Sequence, residues 1–106
     1  MERNYYSEYF ELEDRHWWFV GRRVILLSVL ERHLARDRAL QLLDFGCGTG
    51  TMAQHLARFG TVEAIDADHE AVAFCRQRGL SRVTHLSDTT LPFDEKRFDV
   101  VTALDV

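Results

Sequence analysis

The sequence predicts an α/β fold: a partial, doubly wound parallel sheet with strand order 3-2-1-4, preceded by helices. Short and almost continuously apolar runs alternate with segments of helical period, as expected for strands that helices cover on both faces. A glycine-rich loop separates the first of these runs from the helix that follows it. Right-handed crossovers place strand two beside strand one and strand three beyond it.

A helical leader precedes the sheet. Apolar residues recur at helical spacing from Val20 to Leu34, which predicts an amphipathic helix that ends near Ala35. A charged break follows, and we therefore divide the chain into a helical leader or lid, residues 1–36, and a sheet-forming part, residues 37–106.

The sheet-forming part alternates strand and helix in order. Residues 51–59 have helical period and stop at Gly60, and a second helix over 69–78 has Asp68 as its N-cap and Gly79 after its last turn. The predicted strands are Leu40–Phe45, Thr61–Asp66, Arg82–Leu86 and Phe98–Leu104.

Composition excludes several classes of protein. The 106 residues carry a formal net charge of −4, which argues against a protein that binds nucleic acid by bulk positive charge. No stretch approaches the roughly 20 apolar residues of a membrane span, and the N-terminus lacks an apolar secretory core. Cys47 and Cys75 have neither the spacing of a zinc site nor that of a disulfide framework. We expect one soluble domain in the cytoplasm, with no metal.

The loop over residues 46–50, GCGTG, carries the main chemical signal. Its glycines allow positive φ and close approach of a ligand to bare backbone, and the following helix offers unpaired N–H groups. Asp66 ends strand two, 20 positions after Gly46, where a carboxylate can accept both hydroxyl protons of a ribose. The unit is therefore predicted to bind a ligand that contains ribose, although Asp66 is also placed to stabilise the next helix.

Asp44 indicates which ligand this is. Thr51 stands where a dinucleotide fingerprint requires its third glycine, and the Asp44 carboxylate would repel a pyrophosphate. A ligand with an ammonium and a sulfonium would instead be attracted. These two residues disfavour an NAD-dependent oxidoreductase and favour S-adenosylmethionine.

Four segments resemble, in order and spacing, the motifs of class I S-adenosylmethionine-dependent methyltransferases. Residues 42–50 (LLDFGCGTG) look like the first motif, and residues 64–68 (AIDAD) look like the second, whose acid holds the ribose. Residues 85–93 (HLSDTTLPF) look like the third, which contacts adenine, and residues 98–106 resemble the strand-four motif. The leader more loosely resembles the helical lead-in of one bacterial subgroup.

The resemblance implies a Rossmann-like fold, S-adenosylmethionine as cofactor and methyl transfer to a small-molecule acceptor. Arg22 or Arg23 of the leader helix, with Arg23 preferred, is the candidate for the methionine carboxylate, and no catalytic base can be named. The other residues that the resemblance and the loop assign to the cofactor are Asp44, Gly46, Cys47, Gly48, Thr49, Gly50, Asp66, Ala67, Asp88, Thr89 and Asp105. Each of these assignments has a purely structural alternative. Asp88 is then an ordinary turn residue and Asp105 a solvated one, and Tyr5, Tyr9 and Phe10 pack in the core instead of forming a lid over the cofactor.

The resemblance covers only part of that family's domain, which has seven strands in the order 3-2-1-4-5-7-6. The chain stops on strand four, so we expect it to be the N-terminal, cofactor-binding part of a longer reading frame and to be inactive alone. An unpaired edge of strand four is expected to promote self-association. The alternative function is a non-catalytic nucleotide-binding or interaction module.

Overall fold

The computed structural model describes residues 3–12, 15–34, 37–87 and 97–104. A short 3-10 turn, Ala57–Phe59, follows the third helix. The helices in the described ranges are α1 (Arg3–Leu12), α2 (Trp17–His33), α3 (Thr51–Leu56) and α4 (His69–Gln77). The strands there are β1 (Leu40–Phe45), β2 (Gly60–Asp66), β3 (Val83–His85) and β4 (Val100–Thr102).

The four strands form one parallel sheet in the order β3-β2-β1-β4. Asp44 on β1 lies opposite Ala64 on β2 and Thr102 on β4, and Asp66 at the end of β2 lies opposite His85 on β3. The predicted fold class and strand order are therefore confirmed. All four strands end at the same edge, which brings the glycine loop and Asp66 together.

The two outer strands are shorter than the sequence predicts. Each has a partner on one side only within the described residues: β3 pairs with Ala64–Asp66, and β4 pairs with Leu42–Asp44. The predicted strands were too long because their limits were taken from apolar composition, whereas the observed strands end where their pairing with the neighbouring strand ends. The helix predicted over 51–59 is divided into α3 and the 3-10 turn. The next residue must be glycine, because a Cβ added at Gly60 would collide with the backbone carbonyl of Leu40.

Two buried clusters hold the helices on the sheet. The first joins Leu27 of α2 and Leu56 of α3 to Leu40 and Leu42 of β1. The second joins α3 and α4 to β2 and β3, and its members are Cys47, Ala53, Ala64, Val72, Cys75 and Val83. Leu42 is paired with Val62, which packs against both clusters, so α2, α3 and α4 cover the same face. The second helical layer that the sequence predicts does not occur among the described residues.

The leader packs on the sheet-forming part. The ring of Phe10 in α1 lies 4.9 Å from that of Phe74 in α4, which favours packing over a lid for this residue. The side chains of Tyr5 and Tyr9 lie outside the described residues. The boundary after residue 36 stays a prediction, although Leu27 of α2 belongs to the common core.

Asp99 anchors β4 to β1 from just outside the strand. Its carboxylate accepts from the backbone N–H of Gln41 at 2.8 Å and faces the guanidinium of Arg38 at 3.0 Å. The Arg38 contact, followed by the Gln41 hydrogen bond, lowers the pKa of Asp99. This anchor keeps Thr102, three residues later, in register with Asp44. No described helix is long and apolar enough to cross a bilayer.

Candidate functional site

The glycine loop turns away from the sheet immediately after β1. The backbone N–H groups of Gly46 and Cys47 both donate to the carbonyl of Ile65, at 2.9 and 3.0 Å, so the loop starts against the end of β2. Gly48 has φ of 58°, and a Cβ added there would meet nothing within 4 Å. The backbone at Gly48 is therefore open to close approach by a ligand.

Gly50 has a different reason to be glycine. Its φ is 90°, and a Cβ there would lie 2.8 Å from both the Sγ of Cys75 and the Cδ1 of Leu80. Leu80 closes the end of α4, where its N–H donates to the carbonyl of Cys75 and the N–H of Gly79 donates to that of Arg76. Gly50 thus lets the start of α3 pack closely on the end of α4.

Asp66 ties the glycine loop to the end of β2. Its Oδ2 accepts the backbone N–H of Gly48 at 3.0 Å, and its Oδ1 accepts that of Asp68 at 2.9 Å. Each carboxylate oxygen retains capacity for a further hydrogen bond, so the group can still accept from two hydroxyls. Asp68 itself caps α4 by accepting the N–H of Glu70 at 2.8 Å, as the sequence predicts.

Asp44 is a buried carboxylate at the end of β1, with 3% of its surface exposed. The hydroxyl of Thr102 donates to its Oδ1 at 2.8 Å. Burial, and to a smaller degree the charge of Asp66, raise the pKa of Asp44 to about 6, while the Thr102 hydrogen bond opposes the shift. Sequence reasoning did not find Thr102, because the pairing depends on the register between β4 and β1.

Cys47 is a buried thiol within the loop. Its Sγ is 3.5 Å from that of Cys75, which in turn lies 3.2 Å from the carbonyl oxygen of Gly48. The contact with Cys75 and then burial raise the pKa of Cys47, so the thiol stays protonated. This agrees with its expected role as a small residue within the loop.

Two further residues support the site and were not predicted from the sequence: Arg78 holds the glycine loop, and His85 holds the turn after β2. The Nε of Arg78 donates to the carbonyl of Thr49 at 2.9 Å, and its guanidinium lies 4.6 Å from the ring centre of Phe10. His85 contacts the carbonyl of Ala67, next to Asp66, at 2.9 Å. Arg78 therefore links the leader, α4 and the loop, but no local pattern separates it from an ordinary charged residue at a helix end.

The remaining predicted residues stand as follows. Arg23 is partly buried in the first half of α2, four positions before Leu27 in the core. The role of Arg23 stays a prediction. Asp88, Thr89 and Asp105 lie outside the described residues.

The described site suits an adenosyl ligand with a positive charge. The Asp66 carboxylate can take the ribose hydroxyls, Gly48 exposes bare backbone, and Asp44 places a carboxyl group beneath the loop. With its pKa raised to about 6, that group is largely ionised at neutral pH, and a cation held at the loop would stabilise the carboxylate further. Among the described residues, no group of His, Cys, Asp and Glu is arranged to hold a metal ion.

A comparison with protein families identifies the chain. The model of a methyltransferase domain matches residues 43–106, which is more than half of the sequence and includes the loop, Asp44 and Asp66. The chain belongs to this methyltransferase-domain family. Its members use S-adenosylmethionine, which is the cofactor that the site chemistry favours.

Individual methyltransferases are similar to this chain. One is the dTDP-3-amino-3,6-dideoxy-alpha-D-glucopyranose N,N-dimethyltransferase of Streptomyces fradiae, 36% identical over 74% of this chain and 31% of that protein. Another is the trans-aconitate 2-methyltransferase of Mycobacterium tuberculosis, 33% identical over 67% of this chain and 28% of that protein. A solved S-adenosylmethionine-dependent methyltransferase from Aquifex aeolicus has the same fold, with a TM-score of 0.65, 19% identity, and coverage of 97% of this chain and 56% of that one. The chain spans about a third of the length of the curated relatives it matches.

Proposed function

We propose that this methyltransferase-family chain binds S-adenosylmethionine and serves methyl transfer to a small-molecule acceptor. The observation that carries the proposal is the Asp66 carboxylate, which is held at the glycine loop by the N–H of Gly48 and retains lone pairs for a ribose. Family membership supports the choice of methyl donor.

The cofactor-binding roles follow from this arrangement. Asp66 accepts the two ribose hydroxyls, and the loop over 46–50 lies against the methionine part. Asp44 attracts the positive charge of that part, and Arg23 pairs with its carboxylate. In the same proposal Ala67, Asp88 and Thr89 contact the adenine, and Asp105 borders the cleft at the end of strand four.

When bound, S-adenosylmethionine supplies an electrophilic methyl group, which the acceptor takes by in-line displacement. The contribution of this chain is to hold and orient the cofactor so that the methyl group faces the acceptor. The ionised Asp44 attracts the positive charge of the cofactor more strongly than the protonated acid would. Binding of the cofactor should therefore lower the pKa of Asp44, which burial raises to about 6 in the free chain. None of the described site residues is positioned as a general base toward an acceptor, and the proposal assigns none.

The acceptor class is a small molecule. The names of the two relatives specify an amino sugar nucleotide and trans-aconitate as their substrates, and neither is assigned to this chain. The unlinked thiols of Cys47 and Cys75 support a reducing compartment, and we include a cytoplasmic location in the proposal.

Calorimetric titration of the chain with S-adenosylhomocysteine, and separately with NAD, tests the proposal. We expect S-adenosylhomocysteine to bind and NAD to bind much more weakly, because Asp44 repels a pyrophosphate. Tight binding of NAD without binding of S-adenosylhomocysteine would favour an oxidoreductase. Binding of neither would favour a non-catalytic interaction module.

A further inference from the structure

Two histidines form a stack beside the proposed ribose acid. The rings of His69 and His85 have centroids 3.5 Å apart and planes inclined by 10°. His85 ends β3 and is paired with Asp66, while His69 is the first residue of α4 and follows the cap Asp68. The stack therefore joins β3 to the turn that links β2 to α4.

His85 also holds the backbone of that turn. Its Nε2 lies 2.9 Å from the carbonyl oxygen of Ala67. A carbonyl oxygen can only accept, so Nε2 must carry the proton in this contact. The Ala67 carbonyl belongs to the peptide whose N–H, on Asp68, donates to Oδ1 of Asp66 at 2.9 Å.

One peptide unit thus connects the imidazole to the carboxylate. His85 fixes its carbonyl end, and Asp66 accepts from its N–H end. If His85 releases the carbonyl, the peptide can rotate, and the N–H that orients Oδ1 rotates with it. The other oxygen, Oδ2, would remain bound to Gly48, so the carboxylate would be held at one point instead of two.

We infer that His85, clamped by His69, is a positioning residue that holds the Ala67–Asp68 peptide and thereby orients the Asp66 carboxylate toward the ribose. The inference rests on the proposed function. Neither histidine belongs to a buried core cluster: His69 is exposed, and His85 is partly exposed. Their geometry is therefore directed at the turn rather than at the packing of the sheet.

The test compares His85→Leu, which removes the donor, with His85→Gln, which keeps an N–H at similar reach. His33→Leu is the matched control, because His33 is exposed in the last turn of α2. Affinity for S-adenosylhomocysteine is measured by calorimetry, and the melting temperature without ligand is measured in parallel. We expect His85→Leu to bind about fivefold more weakly, the loss of one neutral hydrogen bond, with His85→Gln and His33→Leu within about twofold of the parent chain.

Equal affinity of His85→Leu and the parent would overturn the inference and leave the proposed function intact. Equal weakening of His85→Leu and His85→Gln would also overturn it, because the donor would then be irrelevant. Failure of the parent to bind S-adenosylhomocysteine would overturn the proposed function together with this inference. The ¹⁵N shifts of the His85 ring in the parent provide a second measurement if His85→Leu does not fold. A proton on Nε2 supports the inference, and a neutral ring with its proton on Nδ1 contradicts it.

Discussion

Replacement of Asp66 by alanine removes the group on which the proposed site depends. From the sequence alone, this change is expected to leave stability nearly unaltered, because Asp68 still caps α4. The structure corrects that expectation, since Asp66 accepts backbone N–H groups from both Gly48 and Asp68. Asp66→Ala should therefore lower both stability and cofactor affinity.

The two losses can be estimated separately. Hydrogen bonds to an ionised group contribute roughly 1.5–3 kcal/mol each, and the partial exposure of Asp66 places the pair near the lower end, at about 3 kcal/mol of unfolding free energy. Loss of the two ribose hydrogen bonds should cost about 3 kcal/mol of binding, or on the order of a hundredfold in Kd. Asp66→Asn should lose most of both, because its amide nitrogen presents a donor where an acceptor is needed.

The assay combines urea denaturation with calorimetric titration of S-adenosylhomocysteine. Asp68→Ala is the control, because its side chain accepts only the N–H of Glu70 among the contacts described here. That variant should lose about 1 kcal/mol of stability through the missing cap, with little direct effect on affinity.

Two results would refute this reasoning. If Asp66→Ala binds like the parent while Asp68→Ala does not, the ribose acid has been assigned to the wrong residue. If Asp66→Ala unfolds at the same urea concentration as the parent, its contacts with the two backbone N–H groups do not stabilise the loop.

The remaining predictions concern pH, the glycine loop and the edge of the sheet. Burial raises the pKa of Asp44 from 3.8 to about 6, so the contribution of this one group to stability should fall by about 3 kcal/mol as pH rises from about 4 to about 6. Urea denaturation should therefore show Asp44→Asn more stable than the parent by about that amount at pH 8 and not at pH 3. An equal gain at both pH values would contradict this. Gly50→Ala should lower the free energy of unfolding by about 2–4 kcal/mol in the same assay, because this position combines a positive φ with contacts of 2.8 Å to an added Cβ. Gly21→Ala, in α2 with nothing near its Cβ, should raise it by about 0.5–1 kcal/mol. Equal effects of the two changes would contradict the packing argument. The chain should self-associate through β4 at tens of micromolar, and Val101→Lys, at a residue 59% exposed, should reduce this in light scattering; a monodisperse parent monomer would disprove it.

Local chemistry explains why much of the fold is predictable. Strand and helix periods, the glycines of the loop and the cap at Asp68 depend on neighbouring residues, and right-handed crossovers then place β2 beside β1 and β3 beyond it. The position of β4 on the other side of β1 was predicted from the family resemblance. The limits of β3 and β4 are less predictable, because they depend on how far the partner strand extends rather than on apolar composition.

The candidate site divides in the same way. The loop, Asp44 and Asp66 were predictable without tertiary information, since all three follow from position at the end of a strand. Three contacts were not predictable in this way: Thr102 donates to Asp44, Arg78 holds Thr49, and His85 holds the peptide after Ala67. These pairs are separated by 58, 29 and 18 positions, and their contacts depend on strand register and helix packing. A periodic pattern shows which face a residue occupies, but the partner it meets there depends on how distant elements dock.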